Sequence, residues 1–429
     1  MTALRVVGGR PLRGRVRVPG DKSISHRALL LAARAEGTSV VRGLSDGHDV
    51  CRTRAAVAAL GAEVDGERIT GGLDRLHEPE AVLDVGNSGT GIRLLAGFCA
   101  PFDWLTVLAG DGSVARRPMD RVAEPLRAMG AAVDGRDSGH YPPLVVRGGG
   151  LAGIHYTPPV ASAQVKAAVL LAGLGAEGDT VVREAVPTRA HTEELLALCG
   201  ADVEVKAGGG PGGGGQAVRV RPSVLRPFTL DVPGDPSQAA FWVVAACVVP
   251  GSEVVVDDVY LGPGRTAFLD VLARMGADVE VVGQRSVRAR WGPLRATDVG
   301  GPEVPGLIDE IPVLAVAAAL AEGPSLVGGA AELRVKETDR IATLADGLRA
   351  LGVDVETKAD GFVVGGSGGA PLTAGRAQAA GDHRIAMAMA VAAMAADGDS
   401  VVDGWEAVAT SYPGFEADLA ALGGEAGPS

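Results

Sequence analysis

A short phrase recurs six times along the chain at nearly equal spacing. In its full form it is Leu, Met or Cys, then Gly, a small residue, any residue and Val, and the sixth copy is degenerate. Its glycines are Gly61, Gly130, Gly200, Gly276, Gly352 and Gly423, spaced 69, 70, 76, 76 and 71 residues apart. Such a period is typical of a chain built from repeated supersecondary units. The sequence therefore predicts six copies of one module.

Each copy predicts a helix that ends at the glycine, followed by a strand. Residues 121–129 place apolar side chains at helical spacing, and a following Gly supplies a left-handed helix cap before a Val-x-Val strand. Each module of about 70 residues is thus expected to be a βαβ-type unit with an added hairpin. Apolar residues make up 47% of the chain and aromatic residues only 3%, so we expect cores of Ala, Val and Leu.

A second repeated segment, with a longer period, divides the chain into halves. Val18-Pro-Gly-Asp-Lys-Ser23 is matched by Val232-Pro-Gly-Asp-Pro-Ser237, 214 residues later in a chain of 429, and each precedes an apolar helix. We predict two α/β domains, with crossings near residues 17–20 and 228–234. Domain one would comprise residues 1–17 and 230–429, and domain two residues 18–229.

Charge and composition exclude several classes of protein. The formal charge is −12 with no long basic run, which argues against nucleic-acid binding. The longest apolar runs, near residues 239–249 and 313–320, are too short to span a membrane, and no signal sequence is evident, so a cytoplasmic protein is expected. The four cysteines are far apart and are predicted to be reduced core residues. No metal-ligand spacing is visible.

Polar segments precede several apolar helices in the first half. Residues 20–27 place Lys22, Ser23 and Arg27 before a helix predicted at 28–33, where free backbone N–H groups form an anion socket. Similar segments follow at residues 86–93 and 161–166, the latter before a helix predicted at 167–172. Arg116 and Arg117 end a loop, although adjacent arginines alone are more often solvated. The glycine-rich stretch 208–215 lacks the Lys-Ser/Thr of a phosphate loop and predicts a flexible hairpin loop.

Three charged segments in the second half each abut an apolar helix. They are residues 307–312, 334–340 and 381–387. A charged run is usually a solvated face, but its position beside an apolar helix favours a buried polar site. Carboxylates among Lys and Arg are what acid–base chemistry on an anion requires.

These motifs together resemble the 5-enolpyruvylshikimate-3-phosphate (EPSP) synthase family, the enolpyruvyl transferases of the shikimate pathway, over nearly the whole chain. The matching segments are residues 19–27, 86–90, 117–119, 162–164, 309–310, 334–340 and 381–384. The resemblance implies an inside-out α/β barrel fold, with three βαβαββ units in each of two domains that close on the substrates. It implies transfer of the carboxyvinyl group of phosphoenolpyruvate to the 5-hydroxyl of shikimate 3-phosphate with release of phosphate, in a cytoplasmic enzyme that is a monomer and needs no cofactor.

The resemblance also implies roles for individual residues. Shikimate 3-phosphate would be bound by Lys22, Ser23, Arg27, Ser162, Gln164, Arg189, Asp309 and Lys336. Phosphoenolpyruvate would be bound by Lys22, Gly89, Arg117, Gln164, Arg340 and Arg384. Glu337 would donate a proton and Asp309 would accept one, with Lys22 assisting, although the adjacent Glu310 is a second candidate for the base. Gly89 implies sensitivity to the herbicide glyphosate.

Two departures from the family pattern affect this assignment. Some relatives have two serines before the glutamine where this chain has Ser162-Ala163-Gln164, and many have a lysine near Tyr412-Pro413 where this chain has none.

A sister transferase acting on UDP-N-acetylglucosamine is the nearest alternative, but it usually carries a reactive cysteine in the loop that corresponds to 109–120, which has none here. A non-catalytic anion-binding relative is the other alternative.

Overall fold

The computed structural model describes residues 2–208 and 214–429, and these divide into two compact units. The N-terminal unit is residues 20–232, and the C-terminal unit is residues 1–19 with 233–429. These limits lie two or three residues from the predicted ones. At the second crossing, the strand Thr229–Asp231 pairs with the strand Gly37–Arg42 and so belongs to the N-terminal unit.

The N-terminal unit contains seven helices and twelve strands within residues 20–208 and 214–232. The helices are α1 (Lys22–Arg34), α2 (His48–Ala59), α3 (Gly89–Cys99), α4 (Asp120–Ala128), α5 (Arg136–Gly139), α6 (Ala163–Gly173) and α7 (His191–Leu198). The strands are β3 (Gly37–Arg42), β4 (Glu63–Asp65), β5 (Arg68–Gly71), β6 (Leu83–Asp84), β7 (Leu105–Ala109), β8 (Ala132–Gly135), β9 (Tyr141–Arg147), β10 (His155–Tyr156), β11 (Thr180–Glu184), β12 (Val203–Ala207), β13 (Gln216–Val220) and β14 (Thr229–Asp231).

The C-terminal unit repeats this alternation of helices and strands. Its helices are α8 (Pro236–Val248), α9 (Ala267–Arg274), α10 (Val304–Leu307), α11 (Ile311–Leu320), α12 (Arg340–Ala350), α13 (His383–Met394) and α14 (Phe415–Ala421). Its strands are β1 (Ala3–Val6), β2 (Arg13–Val16), β15 (Glu253–Val256), β16 (Asp278–Val282), β17 (Ser286–Arg290), β18 (Ser325–Val327), β19 (Val355–Lys358), β20 (Gly361–Val364), β21 (Arg376–Gln378), β22 (Ser400–Asp403) and β23 (Ala426–Pro428).

Each unit has three small sheets with one shared topology. The N-terminal unit has the strand orders β14-β3-β5-β4, β6-β7-β9-β8 and β10-β11-β13-β12, and the C-terminal unit has β16-β17-β15-β2, β18-β20-β19 and β21-β22-β1-β23. Every four-stranded sheet combines one parallel pair with two antiparallel pairs. The three-stranded sheet gains its parallel neighbour from an isolated bridge between Val299 and Val327. The predicted six-module α/β fold is confirmed.

Each of the six repeated glycines follows the end of a helix and has a left-handed backbone conformation. Their φ angles are 109°, 109°, 76°, 79°, 81° and 90° in chain order. They follow α2, α4, α7, α9, α12 and α14, and the next element is β4, β8, β12, β16, β19 or β23. A positive φ is accessible to Gly without a steric cost, so the recurring phrase marks the turn from helix to strand in every module.

Inner helices of each unit form its core. Every residue of α8, α11 and α13 is buried, and these three helices pack against one another. In the N-terminal unit α3 packs against both α1 and α6, and a Cβ at Gly97 would overlap the backbone of Ala168. Small residues thus let the inner helices approach closely, which explains how a core with few aromatic residues fills its volume.

Three predictions of local structure need comment. Helices α1 and α6 begin at Lys22 and Ala163, several residues before the predicted starts at 28 and 167, so the polar segments are themselves helical. Cys51 is exposed, unlike the predicted core cysteine, because α2 turns Val50 and Thr53 inward instead. Strands β12 and β13 form the predicted hairpin, while 209–213 of its glycine-rich loop lie outside the described residues.

Candidate active site

The predicted residues of the N-terminal unit gather at the starts of α1, α3 and α6. We call them the helix-start cluster: Lys22, Ser23, Arg27, Gly89, Arg117, Ser162, Gln164 and Arg189. Side-chain oxygens cap the three helices, because Asp21 accepts from the N–H of Ile24, Ser88 from Gly91 and Ser162 from Val165. The remaining N–H groups and the positive ends of the helix dipoles favour bound anions here.

Arg27 links α1 to the other elements of the helix-start cluster. Its side chain is 2% exposed, and it donates to Thr192 Oγ1 at 2.7 Å and to the carbonyl of Ala163 at 3.3 Å. Arg189 Nη1 lies 3.3 Å from Ser23 Oγ. Two of the predicted shikimate 3-phosphate ligands are therefore in direct contact, and Arg27 reaches the start of the helix that carries Ser162 and Gln164.

Lys22 is held by a carboxylate that the sequence analysis did not single out. Lys22 Nζ lies 3.0 Å from Asp49 Oδ2, and both side chains are largely buried. Asp49 begins the inward face of α2, one turn before the buried Thr53. A charge on the apolar face of an amphipathic helix is the sequence signal that could have found it.

Gly89 and Arg117 lie side by side. Arg117 is mostly buried and donates to Asn87 Oδ1 at 3.3 Å and to Ser113 Oγ at 3.2 Å. A Cβ at position 89 would overlap the Arg117 guanidinium, so Gly is needed for this close approach. Arg93 donates to Gln164 Oε1 at 2.7 Å, and Gln164 donates to Thr90 Oγ1 at 2.9 Å, which ties α3 to α6. Arg93 was part of a quoted motif but had no predicted role.

The predicted residues of the C-terminal unit form a second group, which we call the carboxylate cluster: Asp309, Lys336, Glu337, Arg340 and Arg384. Arg340 is 1% exposed, donates to Glu337 Oε2 at 2.6 Å and lies 3.6 Å from Asp309 Oδ1. Arg384 Nε lies 3.3 Å from the same Asp309 oxygen. The pKa of Arg340 is raised, because Asp382, Glu337 and Asp309 together outweigh the opposing effect of burial.

Asp382 orients the carboxylate cluster. Its Oδ2 accepts from Arg340 Nε at 2.7 Å, and its Oδ1 accepts from the backbone N–H of Arg384 at 2.9 Å as the cap of α13. One buried carboxylate thus fixes Arg340 and the start of the helix that carries Arg384. Sequence analysis placed Asp382 in a charged segment but gave it no role.

Asp309 and Glu310 are adjacent in sequence and occupy different environments. The Asp309 side chain is 18% exposed within the carboxylate cluster, whereas Glu310 is 2% exposed. Glu310 accepts a hydrogen bond from Ser237 and lies 3.6 Å from Arg265, which also contacts Asp235 at 2.5 Å. Glu310 therefore belongs to a buried structural network at the starts of α8 and α11.

Lys336 is the titratable cation of the carboxylate cluster. It is half-buried, and burial lowers its pKa to about 8, with Arg340 adding to this effect. The carboxylates of Asp309, Glu337 and Glu332 oppose the shift only in part. Its charge therefore changes near the alkaline end of the physiological range.

The two units differ in what lies at the starts of their inner helices. In the C-terminal unit each start carries a carboxylate: Asp235, Glu310 or Asp382. In the N-terminal unit only α1 has one, and α3 and α6 begin with serines. The helix-start cluster therefore favours anionic ligands. The carboxylate cluster holds its acidic side chains in place with arginines and is suited to proton transfer.

The six-module fold is that of an enolpyruvyl transferase of known structure. The enolpyruvyl transferase NikO from Streptomyces tendae has this fold, with a TM-score of 0.80, 21% identity, and coverage of 100% of this chain and 99% of that one. No helix among residues 2–208 and 214–429 is both long and apolar enough to cross a membrane.

Closer relatives identify the family. Residues 6–419 match the family model of EPSP synthase (3-phosphoshikimate 1-carboxyvinyltransferase). A 3-phosphoshikimate 1-carboxyvinyltransferase of Synechococcus sp. (strain RCC307) is 48% identical, with 98% of this chain and 99% of that protein covered. The EPSP synthase of Acinetobacter baumannii superposes with a TM-score of 0.86 and 38% identity over the whole of both chains. The chain belongs to the EPSP synthase family, which confirms the predicted resemblance.

Proposed function

We propose that this chain transfers the carboxyvinyl group of phosphoenolpyruvate to the 5-hydroxyl of shikimate 3-phosphate and releases phosphate. The observation that carries the proposal is the joint presence of the helix-start cluster and the carboxylate cluster in a member of this family. The first supplies cations, hydroxyls and an amide for two anionic substrates. The second supplies two partly exposed carboxylates held by arginines.

The residues of the helix-start cluster bind the substrates in this proposal. Ser23, Arg27, Ser162, Gln164 and Arg189 bind the phosphate and hydroxyls of shikimate 3-phosphate, and Lys336 of the other unit contributes a further cation. Lys22, Gly89, Gln164 and Arg117 bind phosphoenolpyruvate together with Arg340 and Arg384. Each charge-assisted contact contributes about 1.5–3 kcal/mol, so several together offset the desolvation of two anions.

The carboxylate cluster carries out the proton transfers. Glu337 donates a proton to the methylene carbon of phosphoenolpyruvate. The oxygen of the 5-hydroxyl bonds to the neighbouring carbon, which bears the phosphate, and Asp309 accepts the proton of that hydroxyl. The resulting tetrahedral intermediate then gives a methyl proton back to the Glu337 carboxylate and expels phosphate, which restores the double bond. The departing phosphate takes the proton that Asp309 accepted, so both acids return to their starting states. Lys22 and the arginines stabilise the negative charge that develops on the departing phosphate.

Phosphate release tests the proposed function directly. The chain is incubated with phosphoenolpyruvate and either shikimate 3-phosphate or UDP-N-acetylglucosamine, and released phosphate is measured for each acceptor. We expect phosphate release when shikimate 3-phosphate is the acceptor and none when UDP-N-acetylglucosamine is the acceptor. Turnover with the nucleotide sugar would favour the sister transferase, and calorimetric binding of shikimate 3-phosphate without turnover would favour a non-catalytic relative.

We further propose that the enzyme acts as a cytoplasmic monomer.

Gly89→Ala is expected to raise the KM for phosphoenolpyruvate by about tenfold, because the new methyl group displaces the Arg117 guanidinium. Inhibition by glyphosate, which we expect of the unsubstituted chain, should weaken in the same variant. Steady-state kinetics and glyphosate inhibition curves measure both effects. Gly292→Ala is the matched control, because a Cβ there meets nothing within 4 Å. An inhibition curve unchanged by Gly89→Ala would contradict this role.

The pKa of Lys336 predicts an alkaline limit on acceptor binding. Below a pH of about 8 Lys336 is an ammonium group and attracts the substrate phosphate; above it the neutral amine does not. We expect kcat/KM for shikimate 3-phosphate to fall by up to about tenfold per pH unit above that value. Lys336→Arg keeps its charge and should remove this limb of the pH profile. A limb that persists in Lys336→Arg would assign it to another group.

A further inference from the structure

Lys166 is a fully buried cation that the proposed chemistry does not use. It lies in α6, four residues after the cap Ser162, and its side chain has no exposed surface. Its Nζ is 2.9 Å from Glu184 Oε2 and 2.7 Å from Glu193 Oε1. Burying three charges is costly, and apolar residues of similar volume often replace such groups without loss of stability. Stability alone therefore does not account for this arrangement.

The hydrogen bonds of Glu184 extend this group into the loop that follows β11. Glu184 accepts from Gln216 Nε2 at 2.6 Å and from the hydroxyl of Thr188. We call Lys166, Glu184, Glu193, Thr188 and Gln216 the Lys166 network. It joins α6, the end of β11, the loop 185–190 and the first turn of α7.

Two arms of the Lys166 network, at Thr188 and at Glu193, end next to a residue that is, or that holds, a proposed ligand of the acceptor substrate. Thr188 precedes Arg189, whose Nη1 is 3.3 Å from Ser23 Oγ. Glu193 follows Thr192, whose hydroxyl accepts from Arg27 Nε at 2.7 Å.

We propose that Lys166 is a positioning residue for acceptor binding. Its contacts with Glu184 and Glu193 fix the positions of the loop 185–190 and the start of α7 relative to α6. The side chains of Arg189 and Arg27 are thereby held where they can bind the substrate phosphate and hydroxyls. Lys166 does not touch the substrate. The inference rests on the proposed function, because it takes shikimate 3-phosphate to be the ligand of these residues.

The test compares acceptor binding with donor binding in Lys166→Met. Calorimetry without phosphoenolpyruvate should show the Kd for shikimate 3-phosphate raised by about 10–100-fold, because the ligands of the acceptor are misplaced. The KM for phosphoenolpyruvate should stay within about twofold, since Gly89 and Arg117 lie outside the network. Thermal unfolding of each sample reports the folded fraction. Lys206→Met is the matched control, because Lys206 pairs with Glu204 on the surface of the same unit.

A second variant covers the outcome in which Lys166→Met does not fold. Thr188→Val keeps all three buried charges and removes only the hydroxyl that ties Glu184 to the residue before Arg189. It should raise the Kd for shikimate 3-phosphate by about three- to tenfold. Folded Lys166→Met that binds the acceptor as tightly as the unsubstituted chain would overturn the inference, and so would an unchanged Kd in Thr188→Val if Lys166→Met is unfolded. Failure of the unsubstituted chain to bind shikimate 3-phosphate would instead remove the proposed function.

Discussion

Replacing Glu337 by Gln is expected to lower kcat by about 10²–10⁴, because the N–H protons of an amide are far too weakly acidic to protonate the methylene carbon of phosphoenolpyruvate. The fold of the site should survive, since Arg340 keeps its 2.7 Å contact with Asp382 when Glu337 loses its charge. The Kd for shikimate 3-phosphate should therefore be nearly unchanged. Single-turnover and steady-state assays measure the first quantity, and calorimetry measures the second.

Glu356→Gln is the control for this substitution. Glu356 lies on the exposed side of β19 in the same unit, so its loss of charge changes the protein's net charge equally without touching the carboxylate cluster. It should leave kcat unchanged. Near-normal turnover in Glu337→Gln would show that the proton comes from another group.

Asp309→Asn should also reduce kcat by about 10²–10⁴, because the amide does not accept the proton of the 5-hydroxyl. The neighbouring Glu310→Gln is the most informative comparison. Glu310 is buried between Ser237 and Arg265, so its neutralisation should lower the free energy of unfolding by about 2–5 kcal/mol. The folded fraction of Glu310→Gln should retain kcat within about tenfold.

Thermal unfolding combined with phosphate release separates the two roles. The assignment of Asp309 as the base predicts a loss of turnover in one variant and a loss of stability in the other. The reverse result, with turnover lost in folded Glu310→Gln and kept in Asp309→Asn, would make Glu310 the base.

The module could be predicted from the sequence because its signal is local and repeated. Each repeated Gly needs a positive φ angle at the end of a helix, and this requirement is met within a few neighbouring residues. The helix caps Asp21 and Asp235 also follow a local rule, since each accepts a hydrogen bond from an N–H group no more than three residues away, although the sequence analysis began the first of these helices at residue 28.

The partners of the site residues could not be predicted in this way. Lys22 and Asp49 are 27 residues apart in sequence, and Arg27 and Thr192 are 165 apart. The sequence signal at Asp49 marks it as a buried charge of α2, but no local pattern pairs it with Lys22. The sequence likewise left Asp309 and Glu310 equivalent, because the difference between them arises from Ser237 and Arg265 in other elements. Packing between modules decides which of two adjacent acids is buried.

The position of β1 has a consequence for the order in which the chain folds on the ribosome. β1 pairs with β22 and β23, from Ala3 opposite Asp403 to Val6 opposite Ala426, so the whole N-terminal unit lies between β1 and its partners in the sequence. The N-terminal unit is one continuous segment, and it is complete once residue 232 has emerged. β1 therefore cannot pair with β22 and β23 until residues 400–428 have been synthesised, after the whole N-terminal unit.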